Sequence, residues 1–364
     1  MIKRLFSPFY NFFNDSRATG IVLIICTITS LLLANSPVKD SWLQGWSFAA
    51  HGINDGLMVL FFFLAGMEIK NELVNGELSS LKQATLPVLA ALGGMLVPAG
   101  IFALFNHGTP YANGWGIPMA TDIAFSLGVI SLLGKRVPLA LRVFLTALAI
   151  IDDLGAIVTI AVFYTATLHV MYLLAAAGIF VLLVVLNKYK VQQLLYYFIP
   201  GILLWYCVLH SGIHATIAGV LLAFTIPLTK IDALIHHLHK PVNFIIMPLF
   251  ALANTAIVIP GDLGYIFQHT ISYGIIAGLV LGKPLGIFFF SFIAVKTRIA
   301  ALPSQSSWQQ LTGVGLLAGI GFTMSIFIAT LAYTNPEWQV YSKIAVMTAS
   351  LIAGLAGYFY LHKR

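Results

Sequence analysis

The chain has 364 residues, of which 59% are hydrophobic and 9% charged, whereas about a quarter of the residues of a soluble domain are charged. That balance excludes a water-soluble globular protein and makes the lipid bilayer the natural solvent. The net charge of +7 does not point to nucleic acid, because the basic residues are spread over separate short loops and form no single basic face.

Segment 1–19 carries Lys3, Arg4 and Arg17, and the apolar stretch after it lacks the small-residue cleavage site of a signal peptide, so the first helix is expected to be retained. Apolar runs close to the roughly 20 residues of a spanning helix then recur along the chain. They predict helices at 18–35, 51–70, 85–105, 118–133, 138–163, 168–186, 192–209, 211–226, 241–260, 270–295, 309–333 and 340–361. The expected fold is an all-α polytopic membrane protein of about 12 transmembrane helices, one domain over 1–364 with no soluble domain attached. Cys26 and Cys207 lie within apolar runs and read as small buried hydrophobes.

With both termini in the cytoplasm, the inner segments hold Lys3, Arg4, Arg17, Lys70, Lys82, Lys135, Arg136, Arg142, Lys188, Lys190, Lys230, Lys240, Lys296, Arg298, Lys363 and Arg364. The outer loops keep only Lys39 and Lys343, and Lys283 falls inside a helix. This asymmetry follows the positive-inside rule and supports an even number of spans.

Two spans read poorly as continuous helices. Segment 116–128 carries Pro118, the pair Thr121 and Asp122, and Gly128. Segment 313–323 carries Gly313, Gly315, Gly319 and Gly321, and each glycine costs a helix about 1 kcal/mol relative to alanine. Interrupted segments at matching places in two halves point to a transporter built on inverted repeats. Close packing of small residues between helices is the competing explanation, and for the second segment alone both stand.

The chemistry concentrates in segment 146–155, Thr-Ala-Leu-Ala-Ile-Ile-Asp-Asp-Leu-Gly, where Asp152 and Asp153 interrupt an apolar helix. Adjacent residues are about 100° apart around a helix, so both carboxyls can face one cavity. An aspartate at the centre of a membrane helix costs roughly 2.5 to 3.5 kcal/mol, so these two and Asp122 together cost on the order of 8 to 10 kcal/mol. No structural role offsets that, and intramembrane acids mark ion pathways. Carboxylates, hydroxyls and backbone carbonyls suit a hard cation, and nothing in the sequence resembles a soft-metal site. In low dielectric, ionisation of one carboxyl disfavours ionisation of its neighbour. Near neutral pH such a site holds a proton or a cation, and competition between the two couples their flows. Lys283, in Leu281-Gly-Lys-Pro-Leu-Gly286, is the one basic residue placed deep in a helix. It is expected to pair with a carboxylate or with the negative ends of broken half-helices, as Asp122 would meet the positive ends.

Several runs resemble the NhaA family of bacterial Na+/H+ antiporters: Ala120-Thr-Asp-Ile-Ala-Phe-Ser-Leu-Gly128, Leu132-Leu-Gly-Lys-Arg-Val-Pro138, Phe144 through Ala156 with its Ala-Ile-Ile-Asp-Asp-Leu-Gly core, and Ser211-Gly-Ile-His-Ala-Thr216. So do Asn54-Asp-Gly-Leu-Met58, Gly66-Met-Glu-Ile-Lys-Asn-Glu-Leu73 and Pro248-Leu-Phe-Ala-Leu-Ala-Asn254, and the resemblance covers nearly the whole chain. It implies twelve helices in inverted repeats, with the fourth and eleventh interrupted and crossing near the midplane. It further implies Asp153 as principal sodium ligand, Asp152 as a second carboxylate that exchanges protons and pairs with Lys283, and Thr121 and Asp122 in the crossing region. Glu68, Glu72 and His214 match positions tied to pH response, and their protonation would close the inner mouth at acid pH. Na+ or Li+ and H+ would be the transported ions, with no cofactor. The setting would be the bacterial inner membrane, multi-pass, with a homodimer as a common assembly. One departure is Ile235, where the family commonly has an acidic residue; His236, His237 and His239 beside it read as a pH-sensitive surface cluster rather than a metal site.

An intramembrane aspartyl protease is excluded because the chain lacks the Gly-x-Gly-Asp and Pro-Ala-Leu runs that such enzymes need. A sodium-coupled symporter of a small organic solute would add recognition groups that the sequence does not show beyond the ion cluster. Unpaired midplane acids argue against an open channel.

Overall fold

In lipid a backbone satisfies its own N–H and C=O groups only as a helix or as a closed barrel. The computed structural model describes residues 16–165, 168–261 and 263–363, and among them there is no strand. Lys3, Arg4 and Arg364, counted above as inner charges, lie outside the described residues. The first helices are α1 (Ser16–Ala34), α2 (Lys39–Val74), α3 (Leu81–Asn106) and α4 (Ala112–Leu132). Then come α5 (Leu139–Phe163), α6 (Val170–Lys188), α7 (Leu195–Ser211) and α8 (Thr216–Thr225). The α9 span begins as Leu228–Pro241, widens into a π turn at Val242–Ile246 and ends as Met247–Asn254. It is followed by α10 (Thr270–Lys296), by α11 in two pieces, Trp308–Ala318 and Phe322–Ala332, and by α12 (Pro336–His362). Among the described residues seven helices are each long and apolar enough to cross a membrane, and the bent α11 pair makes an eighth span. The other spans are shorter or interrupted. The described residues thus form an all-helical polytopic protein whose twelve helical spans follow the predicted order.

Several boundaries differ from the expected ones, and the α9 span begins at Leu228 rather than near 241. The α2 helix starts at Lys39 rather than near 51, because the polar stretch Lys39–His51 continues the helix with no buried residue. Its indoles Trp42 and Trp46, one turn apart, meet edge to face at 5.4 Å. The α9 helix ends at Asn254, short of the expected 260, and residues 256–260 take no regular secondary structure. Asn35 holds that segment, donating to the carbonyl of Ile257 at 2.9 Å and accepting from the N–H of Ile259 at 2.8 Å. Lys343, read as an outer-loop residue, sits about two turns inside α12.

The order long helix, broken span, long helix occurs twice, as α3–α4–α5 and as α10–α11–α12. The two sets run in opposite directions. A Cβ on Gly286 would meet Gly93, one on Gly282 would meet Pro98, and one on Gly274 would meet Asn106, so rising numbers on α3 face falling numbers on α10. Gly278, Gly282 and Gly286 lie four residues apart on one stripe of α10, and this small-residue stripe lets the two backbones touch. A Cβ on Gly282 would lie 2.8 Å from the Pro98 Cα, too close for any side chain.

A branched side chain on that stripe must force α3 and α10 apart. Gly286→Val is expected to destabilise the protein by about 1 to 3 kcal/mol, the usual cost of overpacking. Gly178→Val in α6, where a Cβ has open space, should leave stability unchanged. Thermal unfolding of the two purified variants in detergent checks the contrast.

Candidate functional site

Both predicted interruptions are present. In α4, Ala112–Met119 is a 3₁₀ helix, Ala120 and Asp122 are extended, and an α-helix resumes at Ile123. In α11 the first piece stops at Ala318, and the second starts at Phe322 after a 46° bend. The two breaks bind each other. The N–H of Asp122 donates to the carbonyl of Ile320 at 2.6 Å. Ser126 donates to Leu317 O at 2.9 Å, and Ser325 donates to Ile117 O at 2.7 Å. Gly321 allows this approach, since a Cβ there would lie 3.1 Å from the Ala120 carbonyl.

Asp122 stands where both resumed helices begin. Its Oδ1 accepts the N–H of Phe125 at 3.1 Å, capping the second piece of α4. Its Oδ2 accepts the N–H of Thr323 at 3.0 Å, in the first turn of the second piece of α11, and also the Thr323 hydroxyl. One carboxylate thus faces two positive helix ends, the arrangement that favours negative charge.

Lys283 faces the opposite kind of end. Its Nζ donates to the carbonyl of Met119, the last residue of the 3₁₀ piece, and lies 2.7 Å from Asp152 Oδ2. Both side chains are wholly enclosed, with 0% exposure. The Thr121 hydroxyl is 2.7 Å from Asp152 Oδ2 and 2.9 Å from Ala318 O, the terminal carbonyl of the first piece of α11. A hydroxyl has one proton to donate. With Asp152 ionised, Thr121 serves the carboxylate; with Asp152 protonated, the acid donates to Thr121 and the Thr121 proton turns to Ala318. Protonation at Asp152 is therefore wired to the end of the broken helix.

Asp153 has a different environment. It is buried, and it lines a cavity of about 170 Å³ together with Asp122, Thr323, Glu68, His239 and Asn243. The cavity lies toward the face where α2 and α4 end. Asp152 does not line it. Neither Asp152 Oδ1 nor Asp153 Oδ1 has a hydrogen-bond partner among the described residues. Two adjacent acids thus take separate positions, one clamped by Lys283 and Thr121 and the other turned to the entrance.

The three residues tied to pH response do not share one place. Glu68 lines the cavity. Glu72 lies near the end of α2, accepts the N–H of Glu77 at 2.9 Å, at the start of the 3₁₀ turn Glu77–Ser79, and is not in the lining. His214 does not line the cavity; it lies in the turn before α8, where Nε2 meets Asp55 at 3.1 Å and Nδ1 meets the Thr216 hydroxyl at 2.8 Å. The expectation that His214 closes the same mouth as Glu68 is therefore corrected: a motif fixes sequence position and not depth in the membrane. The histidine group also divides. His239 turns to the cavity beside Asn243, whereas His237 lines a separate apolar groove. Among the described residues, no three His, Cys, Asp or Glu side chains gather as a metal site. Sequence reasoning missed Thr323 and Asn243. Thr323 closes the glycine-rich run and stands two residues after Gly321, as Asp122 stands at the head of its own half-helix, and that parallel was the available signal.

Removing one partner of a buried ion pair strands the other and costs about 3 to 5 kcal/mol. Lys283→Ala should lower stability by that order, Lys283→Arg by less, and adding Asp152→Asn to Lys283→Ala should recover part of the loss. Thermal unfolding of the three variants in detergent tests this, and equal melting temperatures would rule out a structural pair.

The comparisons with known proteins give the family. The family model described as Na+/H+ antiporter 1 matches residues 10–361. A Na(+)/H(+) antiporter NhaA of Cytophaga hutchinsonii is 53% identical over 96% of this chain and 94% of its own length. NhaA 2 of Flavobacterium johnsoniae is 52% identical over 97% of this chain and 92% of its own. A Shewanella oneidensis NhaA is 46% identical over 97% of each. With its two stitched helix breaks and its buried acids, the chain belongs to the Na+/H+ antiporter 1 family.

Proposed function

We propose that this chain is a secondary active transporter that exchanges Na+, and also Li+, for H+ across a bacterial inner membrane, with both termini in the cytoplasm. The observation that carries the reading is Asp153: a buried carboxyl with an unpartnered oxygen, lining a cavity beside a second acid held by a lysine. The cavity of about 170 Å³ has room for about five waters at roughly 30 Å³ each. It is well below the roughly 300 Å³ at which pockets for organic ligands begin. That size favours an ion over the solute of a symporter.

In this reading a cation entering from the cytoplasm meets Asp153 and displaces its proton. The added positive charge weakens the hold of Lys283 on Asp152, which becomes available as a second ligand. A proton leaves from Asp152 or from Lys283, so one cation replaces more than one proton. On the outer side the cation departs and protons return. Each cycle then moves net charge inward, and the membrane potential, worth about 2.3 kcal/mol per charge per 100 mV, helps drive sodium out. At acid pH protons hold the carboxylates against sodium, and Glu68 at the cavity adds a second acid that must be ionised for cations to gather. Activity therefore rises from acid toward neutral and alkaline pH.

Charge movement is tested in proteoliposomes with the potential clamped by potassium and valinomycin. Sodium-driven proton flux should speed up or slow down with the sign of the imposed potential, and Asp153→Asn should fall to the level of protein-free liposomes. A measurable flux indifferent to potential would mean one-for-one exchange. Near wild-type flux in Asp153→Asn would remove the ion-site assignment itself.

A further inference from the structure

The piece of α4 before its break has an uncommon form. Ala112–Met119 keeps 3₁₀ geometry over eight residues, although such runs rarely pass about three or four, because their hydrogen bonds are poorer than those of an α-helix. At about 2.0 Å per residue instead of about 1.5 Å, these eight residues stand roughly 4 Å longer than they would in an α-helix. The last of them, Met119, carries the carbonyl to which Lys283 donates. Whatever keeps the piece long therefore sets where that carbonyl stands.

Two phenols are bonded into the piece. Tyr164 directly follows α5, and its hydroxyl donates to the Asn113 carbonyl at 2.8 Å while accepting the N–H of Gly116 at 3.2 Å. Carbonyl and N–H three residues apart are the two partners of a 3₁₀ turn, so this one side chain splints the turn from Asn113 to Gly116. Tyr333 directly follows the second piece of α11 and is buried. Its hydroxyl donates at 2.8 Å to the Tyr111 carbonyl, which also accepts the N–H of Gly114 at 3.0 Å. Glycine is needed for both approaches: a Cβ on Gly114 would run into the Tyr333 hydroxyl, and one on Gly116 would lie 2.7 Å from the Tyr164 hydroxyl. Tyr111 is anchored in turn, with its hydroxyl 3.2 Å from His269 Nδ1 at the start of α10 and its ring edge-on to Trp338 of α12 at 5.3 Å. The 3₁₀ piece is thus pinned at its start by Tyr333, in its middle by Tyr164 and at its end by Lys283.

We propose that Tyr164 and Tyr333 are positioning residues of the ion site, which hold the first half of α4 at its 3₁₀ length and so keep the Met119 carbonyl on Lys283. That carbonyl gives the ammonium a second acceptor. With it in place, Lys283 releases Asp152 to an incoming cation and stays hydrogen-bonded; without it, Lys283 has Asp152 alone and gives it up less readily. The phenols touch no ion, and act on cation affinity through Met119 and Lys283. This rests on the exchange reading above.

The test separates affinity from turnover. Tyr164→Phe and Tyr333→Phe keep the ring and remove the hydroxyl, and sodium-driven proton flux in proteoliposomes is measured against sodium concentration at one pH. Each should raise the apparent KM for sodium by about three- to tenfold, the factor that a lost hydrogen bond is worth, and leave kcat within about twofold of wild type. Tyr189→Phe, an exposed phenol just after α6, should change neither. Gly116→Ala, whose Cβ displaces the Tyr164 hydroxyl, should raise KM as Tyr164→Phe does, and joining the two should add no further rise, because both remove the same contact. Unchanged KM in a folded Tyr164→Phe or Tyr333→Phe variant, or a loss confined to kcat, overturns the positioning role. So does failure of both variants to fold, which would make the phenols purely structural. Absence of flux in wild-type protein would instead sink the exchange reading, and this proposal with it.

Discussion

A helix interrupted in the middle of a membrane leaves backbone N–H and C=O groups without partners, in a solvent that offers none. The rest of this structure follows from how that problem is met at two places at once. The break in α4 and the break in α11 lie against each other, so the Asp122 N–H finds the Ile320 carbonyl, and serine hydroxyls satisfy carbonyls across the crossing. The remaining helix ends carry partial charges and need full charges opposite them. Asp122 answers the positive ends, and Lys283 answers the negative end at Met119. Lys283 then needs a counter-ion of its own, and Asp152 supplies it.

The proposed exchange grows out of that electrostatic closure. In it, a charge set that is balanced without the transported ion becomes unbalanced when a cation enters, and the balance is restored most directly by losing protons. Asp153 is the group left over after Asp122 has met the positive helix ends and Lys283 and Asp152 have met each other, and it lines the cavity with an unpartnered oxygen. The same arrangement explains why three acids and a lysine are tolerated at a depth where each alone would be costly. Their neighbours are helix ends and each other, not lipid.

Much of this was legible in the residues. Pro118, the Thr121 and Asp122 pair, and Gly319 with Gly321 marked both breaks, because proline and glycine are what an uninterrupted helix avoids. Asp152 and Asp153 stood out because acids in an apolar helix are expensive. The division of labour between them was not legible, since adjacent identical residues carry no sign of which faces Lys283 and which faces the cavity. The early start of α2 was hidden because Asp40, Ser41 and Gln44 look like loop residues when the lipid surface that the tryptophans favour is not considered. The depth of His214 was hidden for a related reason: its partner Asp55 is far away in sequence and is brought to it only by the packing of α2 against α8.

In the proposed exchange sodium and protons compete for the same carboxyl groups. Sodium binding by purified protein, followed by calorimetry in buffers of different ionisation enthalpy, counts the protons released for each ion bound. Binding should release more than one proton per sodium near neutral pH, and Asp153→Asn should bind no sodium and release none. Sodium bound at full affinity with no proton released would rule out that competition.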